Sequence, residues 1–163
     1  MDLSDAVLLY RKHTAKLGMP CERPERHVID RGSYWYFVDQ QPFMGRKGTI
    51  IRKNDGLLTD VGSGIGPREV VFWAYEHGIL TGKCDLIIKD CGADLELVID
   101  VLTKTPPSQR GLRLPGPGRE QWRDRLTALP VVIFSQANLE NYVGELWAAE
   151  RDGIFLFEVR PVE

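Results

Sequence analysis

Thr49-Ile50-Ile51-Arg52-Lys53 and Leu57-Leu58-Thr59-Asp60-Val61 are two β-prone runs separated by Asn54-Asp55-Gly56. An Asp-Gly step supplies the positive backbone angles of a tight reversal, so the two runs are committed to an antiparallel hairpin. A lone hairpin is marginal in water and has to join a wider sheet with an apolar face. The strands for that sheet lie upstream. Val28 to Asp30 and Tyr34 to Val38 carry β-branched and aromatic residues, with Gly32-Ser33 as the break between them. Before them, Ser4 is placed to cap a helix from Asp5 to Leu17. Its Val7, Tyr10, Thr14 and Leu17 form one stripe, and Gly18 and Pro20 stop it.

After the hairpin, Gly62-Ser63-Gly64-Ile65-Gly66 leads into a helix that starts at Pro67, runs to His77 and ends at Gly78. Its apolar residues, Val70 to Tyr75, cover more than one face, which predicts packing against both the first sheet and the second half of the chain. A second pattern then begins. It reads as a strand from Cys84 to Lys89, a helix from Asp94 to Lys104, and a breaker-rich loop from Pro106 to Gly118. A short helix from Arg119 to Ala128 follows, then a strand from Leu129 to Phe134. A helix marked by Leu139, Tyr142, Val143, Leu146 and Trp147 ends at Gly153, and a strand from Ile154 to Val159 closes the chain. The expected fold class is α+β: a small antiparallel sheet with flanking helices, then a βααβαβ sandwich-like unit. The domains are 1–81 and 82–163.

Charge and composition exclude several classes of function. Lys and Arg total 21 against 23 for Asp and Glu, a net charge of -2, so no global field draws the chain to phosphate backbones and no nucleic-acid partner is expected. No apolar run approaches the roughly 20 residues that cross a bilayer, and the start lacks a signal-peptide pattern, so the expectation is a cytoplasmic protein with no membrane partner. The glycine stretch lacks the Lys-Ser/Thr end of a P-loop, and Pro67 takes the third-glycine place of the dinucleotide fingerprint. Cys21, Cys84 and Cys91 read as reduced thiols without metal-site spacing, and His13, His27 and His77 are scattered. His77 fits as a complement to the dipole of its helix. No catalytic residue, metal or cofactor is assigned.

The order of helix, Trp35-x-Phe37 strand, Gly48, Ile50-Ile51 with Lys53, Gly56 turn, Leu57 to Val61 strand, Gly62 to Gly66 loop and Glu69 to Tyr75 helix resembles the YrhB-like immunity proteins of bacterial polymorphic toxin systems. The likeness spans residues 4–80, with Thr49 where that family often has Pro. Residues 84–160 resemble the C-terminal domain of the bacterial ribosomal stalk protein. The echo lies in Asp85 to Lys89, Cys91-Gly92, Val98-Ile99, Leu129 to Ile133 and Gly153. Acidic Asp94, Glu96 and Asp100 stand where the stalk domain offers a lysine-rich helix to translation factors. The first resemblance implies a stoichiometric inhibitor, not an enzyme, that binds a cognate protein toxin as a heterodimer. An adaptor for translation or chaperone machinery and a small cytoplasmic enzyme are the alternatives.

Alternation along the aromatic strand turns Tyr34 and Tyr36 away from the face of Trp35 and Phe37, and exposed tyrosines suit a protein interface. The last helix contributes acidic groups that would meet a basic toxin surface. The expected partner-binding residues are therefore Tyr34, Tyr36, Asp39, Glu140, Glu145 and Glu150.

Overall fold

A computed structural model describes residues 1–19, 21–43, 45–104 and 117–162, and of residues 40–43 the backbone alone. The loop read from Pro106 onward lies outside the described residues as far as Gly116. The protein is α+β and divides into two compact units, Met1–Gly64 and Ile65–Glu163. Among the described residues no helix is long and apolar enough to cross a membrane.

The first unit is a four-stranded antiparallel meander of β1 (Val28–Asp30), β2 (Tyr34–Phe43), β3 (Arg46–Arg52) and β4 (Leu58–Gly62), preceded by helix α1 (Leu3–Lys16). Asp2, rather than Ser4, caps α1: its carboxylate accepts the N–H of Asp5 at 2.9 Å. The hairpin turn forms as expected, with Gly56 at a φ of +75° and its N–H donating to Arg52 O at 2.9 Å. Ala6 and Tyr10 of α1 pack with Phe37 and Ile51 of the sheet, with Trp35, Val28 and Leu58 partly buried around them. Tyr10 and Phe37 stack at 4.5 Å.

Trp35 and Phe37 face α1, and Tyr34 and Tyr36 point the other way, as the alternation requires of the two pairs. That second face is buried too. Tyr34 is 1% exposed, and Tyr36, Ile50 and Val61 on the same face are fully buried. Gly48 of β3 pairs with both Val38 and Val61 on this face. A Cβ there would lie 2.8 and 2.9 Å from Tyr36 ring atoms and 2.4 Å from the carbonyl oxygen of Phe37. The ring of Tyr36 therefore lies flat over backbone that carries no side chain.

The second unit contains α2 (Arg68–Glu76), β5 (Cys84–Asp90), α3 (Leu95–Lys104), α4 (Arg119–Arg125), β6 (Val131–Ala137), α5 (Val143–Arg151) and β7 (Leu156–Pro161). From β5 onward this is the βααβαβ order, with β5 in the centre of a three-stranded antiparallel sheet, order β6-β5-β7. Leu86 and Ile88 of β5, Val98, Ile99 and Leu102 of α3, Trp122 of α4 and Leu146 of α5 are all buried. Trp122 meets Phe134 edge-on at 5.8 Å, and Phe134 meets Tyr142 the same way at 5.8 Å. Tyr142 Oη donates to the carbonyl of Val101 at 2.6 Å, which gives a buried hydroxyl its partner.

The division of the chain departs from the expected boundary at 81/82. Helix α2 packs against α5, with Val70, Val71 and Ala74 buried, so it belongs with the second unit and the break falls before it. Trp73 is only partly buried.

Gly48→Ala tests the account of the first sheet. The added methyl meets a backbone carbonyl as well as a ring, so we expect a loss of about 1–3 kcal/mol by overpacking, read from denaturant melts. Wild-type stability in Gly48→Ala would show that Tyr36 does not occupy that space.

Candidate functional site

Two groups of polar side chains stand out, one in each unit, and the expected site residues fall into them unequally. In the first unit, Tyr10 of α1 donates its hydroxyl to Asp39 Oδ1 at 2.8 Å. The other carboxylate oxygen of Asp39 lies 3.1 Å from Nε of Arg46. Arg46 Nη2 reaches Thr49 Oγ1 and lies 3.3 Å from Asp60 Oδ1, to which Thr49 donates at 3.1 Å. His13 closes the chain, its Nε2 at 2.8 and 2.9 Å from the two oxygens of Asp60. One guanidinium thus bridges two carboxylates across β2, β3 and β4, and α1 touches the group at both ends through Tyr10 and His13.

Burial decides what this group does. The Asp39 side chain is 3% exposed and that of Arg46 10%, so both charges have given up most of their water. Burial, and then the bond to Asp39, push the Tyr10 hydroxyl far above its ordinary range, so it remains a neutral donor. Such a group fastens the helix to the sheet. Asp39 therefore does not serve as a surface contact, because its carboxylate is spent on Tyr10 and Arg46 inside the unit. Tyr34 and Tyr36 are likewise buried and offer no surface contact.

The acidic residues of the second unit separate. Glu140 is exposed on a 3-10 turn, Glu140–Tyr142, that precedes α5. Glu145 is partly buried in the first turn of α5, and its negative charge, after burial itself, raises the hydroxyl of the fully buried Tyr142. Glu150, in the last turn, is drawn into an aromatic group. Its Oε2 accepts Trp73 Nε1–H, and its Oε1 lies 3.2 Å from His77 Nε2. The Trp73 and His77 rings lie 4.4 Å apart, and Phe157 of β7 stands 6.3 Å from the indole and 6.5 Å from the imidazole. Trp73, His77 and Phe157 are all half-buried, so their rings border solvent, whereas in the Arg46 group it is Asp60 and His13 that reach solvent while Asp39 and Arg46 are buried. Its sequence signal was the four-residue step from Trp73 to His77, which puts both rings on one helix face. Glu150 could not be added to them from sequence, because only the fold brings α5 to α2.

Two other features bear on chemistry. Burial pushes the thiols of Cys84, Cys91 and Cys21 upward, which keeps them protonated and poorly nucleophilic. Among the described residues no three His, Cys, Asp or Glu side chains are placed to hold a metal ion. No protein-family model, no curated protein and no solved structure matches this chain.

Two measurements check these assignments. Arg46→Ala leaves Asp39 buried without its countercharge, and we expect a loss of about 3–5 kcal/mol in urea melts. A loss below about 1 kcal/mol would mean that water already reaches the carboxylate. Asp85 of β5 accepts the N–H of Gln136 at 2.8 Å and the hydroxyl of Ser135 at 2.9 Å, and these bonds hold its carboxyl below the usual range. A lowered carboxyl stabilises the fold above the unfolded-state value, and that contribution is lost as pH falls through the lowered one. The melting temperature of wild type should therefore decline on acidification more steeply than that of Asp85→Asn, as recorded by calorimetry between pH 7 and pH 2.

Proposed function

We propose that the protein is an immunity protein that binds and neutralises a cognate bacterial toxin in the cytoplasm of the producing cell. The resemblance of residues 4–80 to YrhB-like immunity proteins supplies the class. The observation that carries the reading is the solvent-bordering aromatic group of Trp73, His77 and Phe157, edged by Glu150. Half-buried tryptophan and phenylalanine offer large apolar area at small entropic cost, and interfaces concentrate their binding energy in such residues. Exposed Glu140 adds a charge that would meet a basic surface at the rim of the contact, where carboxylates chiefly speed association. Inhibition in this reading is stoichiometric and needs no group with perturbed chemistry.

The test takes as candidate toxin the product of the gene adjacent to this one. Co-expression should restore growth of cells that make the toxin, and the two purified chains should form a 1:1 complex by light scattering. Absence of both rescue and complex with that candidate would sink the proposal. In surface-binding kinetics, Glu140→Lys should slow association several-fold at low salt and have little effect above about 0.5 M, where screening shortens to a few ångström. A salt-independent effect would place Glu140 outside the rim.

A further inference from the structure

His77 caps the C-terminal end of α2, and its two ring nitrogens face two acceptors. Nδ1 lies 2.8 Å from the carbonyl oxygen of Trp73 and Nε2 lies 3.2 Å from Oε1 of Glu150. A carbonyl and a carboxylate only accept, and a neutral imidazole has one N–H. Both contacts are therefore hydrogen bonds only when the ring is an imidazolium. The same carboxylate receives the indole N–H of Trp73 on its other oxygen, so one acid on α5 gathers two groups from α2.

We propose that His77, Trp73 and Glu150 form a proton-operated clasp between α2 and α5, closed while the imidazole is charged and loosened when it is neutral. Loss of the proton leaves a ring nitrogen lone pair against an oxygen in either tautomer. With the proton on Nδ1, the opposed atom is Glu150 Oε1. With it on Nε2, the opposed atom is the carbonyl oxygen of Trp73. An attractive contact thus becomes a repulsive one by removal of a single proton. From α5 the charged group that faces the imidazole is Glu150, since the adjoining Arg151 pairs with Asp152 at 2.8 Å. From β7 the facing group is the uncharged ring of Phe157, and the turn Ile79–Thr81 that follows carries no titratable side chain. On α2 itself the neighbouring acid is the exposed Glu76.

The direction follows from these partners. Histidine side chains change charge between about pH 5 and 8, and the clasp opens as pH rises through that interval. The His77 and Glu150 side chains are 34% and 48% exposed, so salt moderates the contact and the device biases two packed helices rather than unfolding them. It concerns an internal contact and stands whether or not the partner is a toxin.

Nuclear magnetic resonance of the full ¹⁵N-labelled chain reads the clasp directly. The Trp73 indole N–H signal, assigned by its loss in Trp73→Phe, should shift in one step between pH 5 and 8. Its midpoint should coincide with that of the His77 ring nitrogens, both of which should carry protons on the acid side. The step should vanish in His77→Gln. In Glu150→Gln, which keeps an acceptor and removes the charge, the His77 midpoint should move to lower pH. An indole signal that is flat in wild type overturns the proposal, as does the same step surviving in His77→Gln. If His77→Gln fails to fold, the coincidence of midpoints in wild type and its displacement in Glu150→Gln decide the matter.

Discussion

A guanidinium that is nine-tenths buried has to find its countercharges inside the fold, and the arrangement of the first unit follows from how Arg46 does so. It draws one carboxylate from β2 and another from β4, on either side of its own strand. Strands that share one cation cannot slip by a residue, because a slip would move Asp39 or Asp60 to the opposite face. Helix α1 then reads the result from above. Its Tyr10 and His13, three residues apart, contact the two carboxylates separately, so the helix is seated in one rotation and one height. Apolar contact between Tyr10, Ala6, Phe37 and Ile51 supplies area, and the charged group supplies register.

The second unit reaches the same end with other means. Its centre is an apolar strand with helices beside it; the buried hydroxyl of Tyr142 is satisfied by the carbonyl of Val101, and the contacts of Arg119 and Arg123 with Glu96 and of Glu150 with Trp73 and His77 lie on the solvent side. The carboxylates of the last helix therefore have different tasks. Glu140 is left to solvent, Glu150 joins two helices, and a reading of α5 as one uniformly acidic outer face overlooks that difference.

Much of the architecture was legible in the chain because local signals agreed with tertiary demands. Asn54-Asp55-Gly56 reverses where it reads as reversing, and Trp35 and Phe37 share one face of β2 with Tyr34 and Tyr36 on the other, as alternation places them. The errors share one cause, which is that local pattern says which residues share a face and not what lies over that face. Tyr34 and Tyr36 lie opposite Trp35 as alternation places them yet are buried, since alternation cannot reveal what lies over the face they share. The stretch before α2 reads as an interior loop of one domain, although the contacts of α2 with α5 put the break there. Asp39 carried no distinguishing neighbour in sequence, because its partners Tyr10 and Arg46 come from α1 and the next strand.

The recess at Gly48 also has a meaning across sequences. Tyr36 and Gly48 occupy a single volume, shared so that one residue supplies all of the side chain and the other none. The dependence runs one way: a Cβ at 48 meets the carbonyl oxygen of Phe37 even if residue 36 shrinks, whereas a smaller residue at 36 leaves a hole that a bare glycine cannot fill. Glycine should therefore be kept at 48 whatever stands at 36, while 36 keeps a ring wherever that space has to be filled.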